Sequence, residues 1–349
     1  MRPLDGIRVL DFTWYQQGPY ATVVLSDFGA VSLMRFDTFT TVIYAELGGR
    51  FDPPAAAALS SVLVVLTLGL LVGGLRVRGG GRYTQTGGGA GRGAPRSPRP
   101  LGRGRWPAFA GVIAVLVLSL GLPLARLGAW AVQTLSAQAP AALAAYAGNS
   151  LLISGFSASI AVAVALPVAV VIARGGRAGL TLGALAQSGY ALPGVIVALA
   201  AVAIATRFAG PLYGTFGLLV GAFVVRFLPQ AIQAQEAGLA QIGPNLTEAA
   251  RSLGATPRGA FRRVTLPLLS PSLTAAWIVV FLTAVKELPA TLILRPIGFD
   301  TLPVRVWTPA RDGLYAEAGT AALALVLISL VPLALVLLRR RGDGATLLA

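Results

Sequence analysis

Seven stretches of the chain stay apolar for about twenty residues each, the length a helix needs to cross the hydrocarbon of a bilayer. They are residues 55–75, 107–130, 149–173, 180–206, 213–234, 272–292 and 317–338. Each is predicted to be a membrane-spanning helix. The polar positions between them alternate in character. Residues 76–105 carry eight arginines and no acid, and Arg174 and Arg177 fill a later loop. Arg251, Arg258, Arg262 and Arg263 occupy another, and Arg339, Arg340 and Arg341 follow the last span. The intervening loops are poor in arginine, or pair it with Asp300 and Asp312. Basic residues collect on the cytoplasmic side of membrane proteins. One orientation therefore satisfies every basic loop, with residues 1–54 outside and the C-terminus inside.

Composition agrees and narrows the chemistry. Hydrophobic residues make up 55% of the chain and charged residues 12%, about half the share of charge in a soluble domain. The chain has no Cys and no His. That removes disulfides, thiol chemistry and zinc fingers, and with them the commonest general base. No catalytic residues and no metal ligands are proposed. The net charge of +15 raises the question of nucleic acid. Its largest block, the Gly/Arg-rich stretch 76–106, lies directly between spans. It is read as a flexible cytoplasmic linker facing membrane lipid, not as an RNA-binding tail.

One charged stretch interrupts the apolar pattern and still reads as helix: "NLTEAARSLGATPRGAFRRVTLPLL", 245–269. Asn245 is suited to an N-cap, with Glu248 at capping-box spacing. Gly254 suits the residue just past a helix end. Thr256 and Pro257 suit a second N-cap and first turn, and Pro267 is expected to end that second helix. Two short helices with a glycine corner would lie at the inner face. A DNA-binding helix-turn-helix is the rival, but membrane spans tether both ends. Docking into a groove of a cytoplasmic protein fits better.

Within this stretch Glu248, Ala249, Ala250, Gly254, Leu266 and Pro267 match the EAA loop of ABC-importer permeases. The wider pattern, from "AGNSLLISGFSASI" through "YALPGVIVAL" to the last span, resembles the type-1 transmembrane domain of that family. The resemblance implies an all-α membrane protein, with six of the seven spans forming the permease domain over 107–341 and the EAA loop at 245–267. It also implies that the loop enters a cleft of a cytoplasmic ATPase, with Glu248 facing that partner. The chain would bind no cofactor itself, with ATP on the partner subunit.

"VKELPATLILRPIGFDTLPVRVW", 285–307, resembles the permeases of ferric-iron importers in the second of their two fused repeats. Lys286 and Glu287 are charges within a span, where such residues line a pathway or lock packing. They point about 100° apart on a helix, so they do not simply neutralise each other. Pro289 is expected to break the helix beside them. Tyr190, Pro193 and Gly194 form a similar interruption, of the kind transporters place along a solute path.

The chain also echoes itself. Phe-Asp-Thr at 36–38 and again at 299–301 each opens a mixed stretch that leads into an Ala-rich span. Residues 31–75 are thus read as the outer loop and last helix of a truncated first repeat. Residues 1–30, "MRPLDGIRVLDFTWYQQGPYATVVLSDFGA", read as a strand, a turn and a helix. They resemble the start of class III acyl-CoA transferases. That piece is too short to form a pocket and lacks the catalytic part. It is expected to be a short α/β-like or disordered fragment, joined by a fused or mis-joined reading frame near residues 27–30.

The sequence thus predicts an ABC importer permease in the bacterial inner membrane, itself no enzyme, with ferric iron as the substrate the resemblance implies. An importer of another small solute is the alternative, and an acyl-CoA transferase the weaker one. The implied partners are ATPase subunits, a periplasmic binding protein and a second permease half, which is the missing first repeat or another copy.

Overall fold

The computed structural model describes residues 28–34, 37–77, 104–134, 140–190, 192–242 and 245–345. Among these, all regular structure is helical. The expected N-terminal strand, and all but the edges of the basic linker, fall outside the described residues.

In chain order the helices are α1 (Gly29–Leu33), α2 (Phe39–Gly48), α3 (Pro53–Val77), α4 (Arg105–Thr134) and α5 (Pro140–Arg174). They continue as α6 (Gly176–Tyr190), α7 (Gly194–Phe208), α8 (Phe216–Ile242) and α9 (Asn245–Ser252). The last four are α10 (Pro257–Ala284), α11 (Pro289–Leu294), α12 (Leu302–Arg311) and α13 (Tyr315–Ala345). Among the described residues, five helices are long and apolar enough to span a membrane: α4, α5, α8, α10 and the Tyr315–Pro332 part of α13. Two shorter apolar helices, Pro53–Gly69 and Gly194–Phe208, accompany them.

Two expected spans are broken, and proline accounts for both breaks. The 180–206 stretch divides into α6 and α7 around Pro193, whose extended backbone (φ −62°, ψ 148°) starts α7 afresh. The 272–292 stretch stops at Ala284 and resumes at Pro289, which sits in the first turn of α11, where its missing N–H costs nothing. Pro267 behaves oppositely to expectation. It does not end a helix, because a π-type turn over Phe261–Thr265 precedes it, with Leu266 N–H bonded back to Phe261 O. The wider turn shifts the carbonyls by one residue and admits the ring without a clash. The second short helix of the loop is therefore the beginning of α10.

The core is built from α8 packed between α5 and α10. α5 presents small residues, Ala158, Ala161 and Ala165, all fully buried, to Phe223, Phe227 and Ala231 of α8 and Val280 and Phe281 of α10. Small residues let helix backbones approach in a bilayer, where dispersion rather than water exclusion drives association. At one crossing a Cβ on Gly238 of α8 would collide with Ser272 of α10. α4 lies outside this core. It touches α13 near its C-terminal end, where Trp130 stacks on Tyr315 and Thr134 Oγ1 meets Thr320 Oγ1 at 2.6 Å. Such an apolar helix, exposed over all but its last turns, is at home in lipid.

The hairpins α2–α3 and α12–α13 share a plan. α2 and α12 each have ten residues, and each starts after a threonine with extended backbone: Thr38 (φ −118°, ψ 167°) and Thr301 (φ −108°, ψ 164°). Each threonine is the third residue of its Phe-Asp-Thr. Thr38 adds a reciprocal cap with Thr41, whose Oγ1 accepts from Thr38 N at 2.7 Å. A second apolar cluster joins this part to the rest, with Phe28, Ile43, Ala56 and Leu63 against Val195, Leu288, Val304 and Trp307.

Candidate functional site

Two groups of residues carry chemistry, one on a surface loop and one inside the bundle. On the loop, α9 ends in a Schellman arrangement. Ala255 N–H bonds Ala250 O at 3.1 Å and Gly254 N–H bonds Arg251 O at 3.0 Å, while Gly254 takes φ +90°. A side chain at Gly254 would be strained by that φ alone. Thr256 Oγ1 then accepts from Gly259 N at 3.1 Å and caps α10. Thr247 and Thr265 hydroxyls meet at 3.2 Å and brace α9 against α10. The Asn245 side chain lies outside the described residues.

The result is a rigid corner with an open face. Glu248, Ala249 and Gly254 are exposed and Ala250 is half-buried. Glu248, Arg251, Ser252, Ala255 and Pro257 line a shallow depression. Leu253, 90% exposed, and Leu246 stand beside it. Leu266 is half-buried and Pro267 exposed, so these two serve the join to α10 rather than the open face.

Inside the bundle the breaks at 192–193 and 285–288 meet. Glu287 is buried and faces Arg226 of α8, with Oε2 3.1 Å from Nε. Nε has no aligned hydrogen bond, so charge rather than directed bonding holds that contact. Arg226 also donates from Nη1 to Leu192 O at 3.2 Å, at the break before α7. Glu287 Oε1 accepts from Ala290 N at 3.4 Å, and Glu287 O accepts from Thr291 Oγ1 at 2.9 Å. Pro193 and Pro289 are buried on either side. Gly194 is required: a Cβ there would run into Glu287 Oε1 and the Arg226 guanidinium.

Lys286 is exposed while Glu287 is buried. The two part in the turn between α10 and α11, and not on a helix as the sequence had suggested. The Tyr190 side chain lies outside the described residues. Arg226 went unremarked in the sequence reading. Its signal was present, since a lone arginine within the apolar stretch 213–234 needs a partner. The carboxylate that supplies it is 61 positions further on, and only the fold brings them together.

Residues 161–340 match the profile of the binding-protein-dependent transport system inner membrane component. The chain belongs to that family. Both the loop and the interior pair fall within the matched residues. Over 315 residues the chain is 34% identical to the Fe(3+)-transport system permease protein FbpB 2 of Haemophilus influenzae, covering 88% of this chain and 62% of that protein. Over 143 residues it is 33% identical to the putative 2-aminoethylphosphonate transport system permease protein PhnV of Salmonella typhimurium, covering 40% and 53%. Over 138 residues it is 24% identical to the spermidine/putrescine transport system permease protein PotC of Haemophilus influenzae, covering 40% and 53%. The chain thus spans less than two thirds of each of these relatives. A second profile, CoA-transferase family III, matches residues 4–31 alone. Nearly all of that match lies outside the described residues.

Proposed function

We propose that the chain is the permease subunit of an ATP-driven importer in the bacterial inner membrane, and that its 245–267 loop transmits the stroke of a cytoplasmic ATPase. The observation that carries this is the loop's form. A short helix is braced by the Thr247–Thr265 contact and cornered at Gly254, and it leaves Glu248, Ala249 and Leu253 exposed. A stiff, exposed, amphipathic element between two membrane helices is suited to a protein groove. The chain performs no chemistry of its own in this reading. ATP binds the partner, a binding protein delivers solute from outside, and a second permease half completes the path. The C-terminus lies inside, by the arginine distribution.

Ferric iron is the proposed solute, supported by the resemblance at 285–307 and by the name of the Haemophilus relative that aligns along most of the chain. Iron(III) is a hard cation that needs oxygen donors rather than Cys or His. The relatives named for 2-aminoethylphosphonate and for polyamines align over shorter stretches and define the competing solutes.

The domain reading goes with this proposal. Residues 107–341 form the transmembrane domain, 76–106 a cytoplasmic linker, 31–75 the end of a first repeat, and 1–30 a transferase-like fragment without function here.

The test is Glu248→Lys in cells that express the chain with its genomic ATPase neighbour. Radiolabelled iron uptake and co-recovery of the ATPase should both fall at least tenfold, while the amount of chain in the membrane stays constant. Undiminished co-recovery and uptake would remove the loop from the coupling role. Uptake of labelled 2-aminoethylphosphonate or putrescine in place of iron would reassign the solute and leave the coupling reading intact.

A further inference from the structure

One contact between the two hairpins fixes their relation. Counted from Phe-Asp-Thr, Tyr44 and Trp307 are each the ninth residue. Their rings meet edge to face, with centroids 5.7 Å apart and planes at 86°. When a residue of one repeat touches its own counterpart in the other, the local twofold axis passes between them. Phe28 completes a triangle, 5.1 Å from the Tyr44 ring and 6.0 Å from that of Trp307. Phe28 and Trp307 are buried. Trp307 Nε1 donates to Ser32 Oγ at 3.0 Å, which pins the segment that carries Phe28.

The triangle sits directly on the interior site. Val195 and Leu288 belong to the same apolar cluster, and they are the residues that follow Gly194 and Glu287. Gly29 approaches Leu288 as well, since a Cβ on it would lie 3.8 Å from Leu288 Cδ2. Solute paths in transporters built from repeats run at the repeat interface. Rings that meet across the axis therefore stand in the path. The charge rule puts this end of the molecule outside.

We propose that Phe28, Tyr44 and Trp307 form the outer closure of the solute path, a claim that rests on the permease reading above. In the closed form the three rings keep water off the Arg226–Glu287 pair. Opening separates Tyr44 from Trp307 and breaks the Trp307–Ser32 hydrogen bond. The three rings themselves carry no charge at neutral pH: burial pushes the Tyr44 phenol above its ordinary range, against the opposing pull of Arg311 and Arg295. The closure is held by the ring contacts, the Trp307–Ser32 hydrogen bond and the Arg311 guanidinium 5.0 Å from the Trp307 ring centroid, and solute or a partner can shift it without moving a proton.

The absence of cysteine makes single-cysteine reporters unambiguous. Val195→Cys, in the full chain in native membranes with its partners, reports access beneath the rings. A membrane-impermeant maleimide is added from outside. Trp307→Ala should raise the labelling rate by roughly tenfold, because two ring contacts are lost. Trp307→Phe, which keeps a ring, should raise it far less. Ala165→Cys, buried in the other cluster, should stay unlabelled throughout and so reports loss of fold. In a second arm, Tyr44→Cys with Trp307→Cys is bridged by a short reducible thiol cross-linker. Uptake of radiolabelled ferric iron should stop and return on reduction.

Unchanged Val195→Cys labelling in Trp307→Ala, or continued uptake through the bridged chain, overturns the closure and leaves the permease reading standing. If Trp307→Ala also exposes Ala165→Cys, the bridged chain decides. Failure of the unmodified chain to take up any of the three labelled solutes with its partners counts against the permease reading instead, and the labelling result still judges the rings.

Discussion

Glu248 and Glu287 are the same side chain in opposite settings. Glu248 stands exposed on a loop that is built almost wholly from local rules, a glycine past one helix end and a threonine cap before the next. Glu287 is 7% exposed, neutralised by Arg226 from another helix, and lies at a joint where two interrupted helices meet. The first is available to a partner and owes little to the fold. The second is buried against Arg226 and faces no outside surface. A carboxylate in a transporter thus declares its role by its surroundings. The neutralised one is placed to lock the joint, and the free one is suited to an external contact.

The contrast can be broken most violently at the joint. Glu287→Ala strands the Arg226 charge inside the bundle, and loss of one partner of a buried pair costs about 3–5 kcal/mol. Little folded chain should remain in the membrane. The double variant Arg226→Leu with Glu287→Leu should recover most of that protein, since replacing both charges with apolar groups is far cheaper. Quantitative blotting and thermal unfolding in detergent would show it. A double variant no better recovered than the single would mean that the pair is not the lock.

Gly254→Ala forces a side chain into the left-handed region and should cost about 1 kcal/mol. The cost should appear as a lower unfolding midpoint, along with loosened ATPase binding. Glu248→Lys, whose effect on uptake should be large, should change the unfolding free energy by no more than about 0.5 kcal/mol, as for other exposed positions. A drop comparable to that of Glu287→Ala would erase the distinction between the two glutamates.

The smallest effect belongs to Tyr44→Phe. Burial raises the folded phenol above its unfolded value. Its contribution is therefore complete below about pH 10 and is lost as the pH rises beyond that. The variant should match the parent at neutral pH and decline less steeply in alkali, as read by unfolding midpoints between pH 8 and 11.

Much of this architecture was legible because membrane chemistry writes in long runs. Apolar stretches gave the helices, and Gly254, Thr256 and Pro257 marked their turns from residue type alone. What stayed hidden depended on neighbours in space. The two tandem breaks were signalled by Pro193 and Pro289, but their meeting point was not, because Arg226 and Glu287 are joined only through the packing of α8. Pro267 misled for a different reason. Proline ends a helix of ordinary pitch, and the preceding turn over Phe261–Thr265 is wider. No feature of those five side chains announces that pitch.

The continuity of α10 through Pro267 has a mechanical consequence. From Pro257 to Ala284 it is a single rod of 28 residues, about 42 Å long at 1.5 Å per residue. One end is the corner beside Glu248, and the other abuts the joint that holds Glu287. Between them the rod is pinched against α8 where Gly238 admits Ser272, about 22 Å from the first end and 18 Å from the second by the same rise. That is a lever with nearly equal arms. If the rod pivots there, a sideways push at the loop would return at the joint with about the same amplitude and the opposite sense.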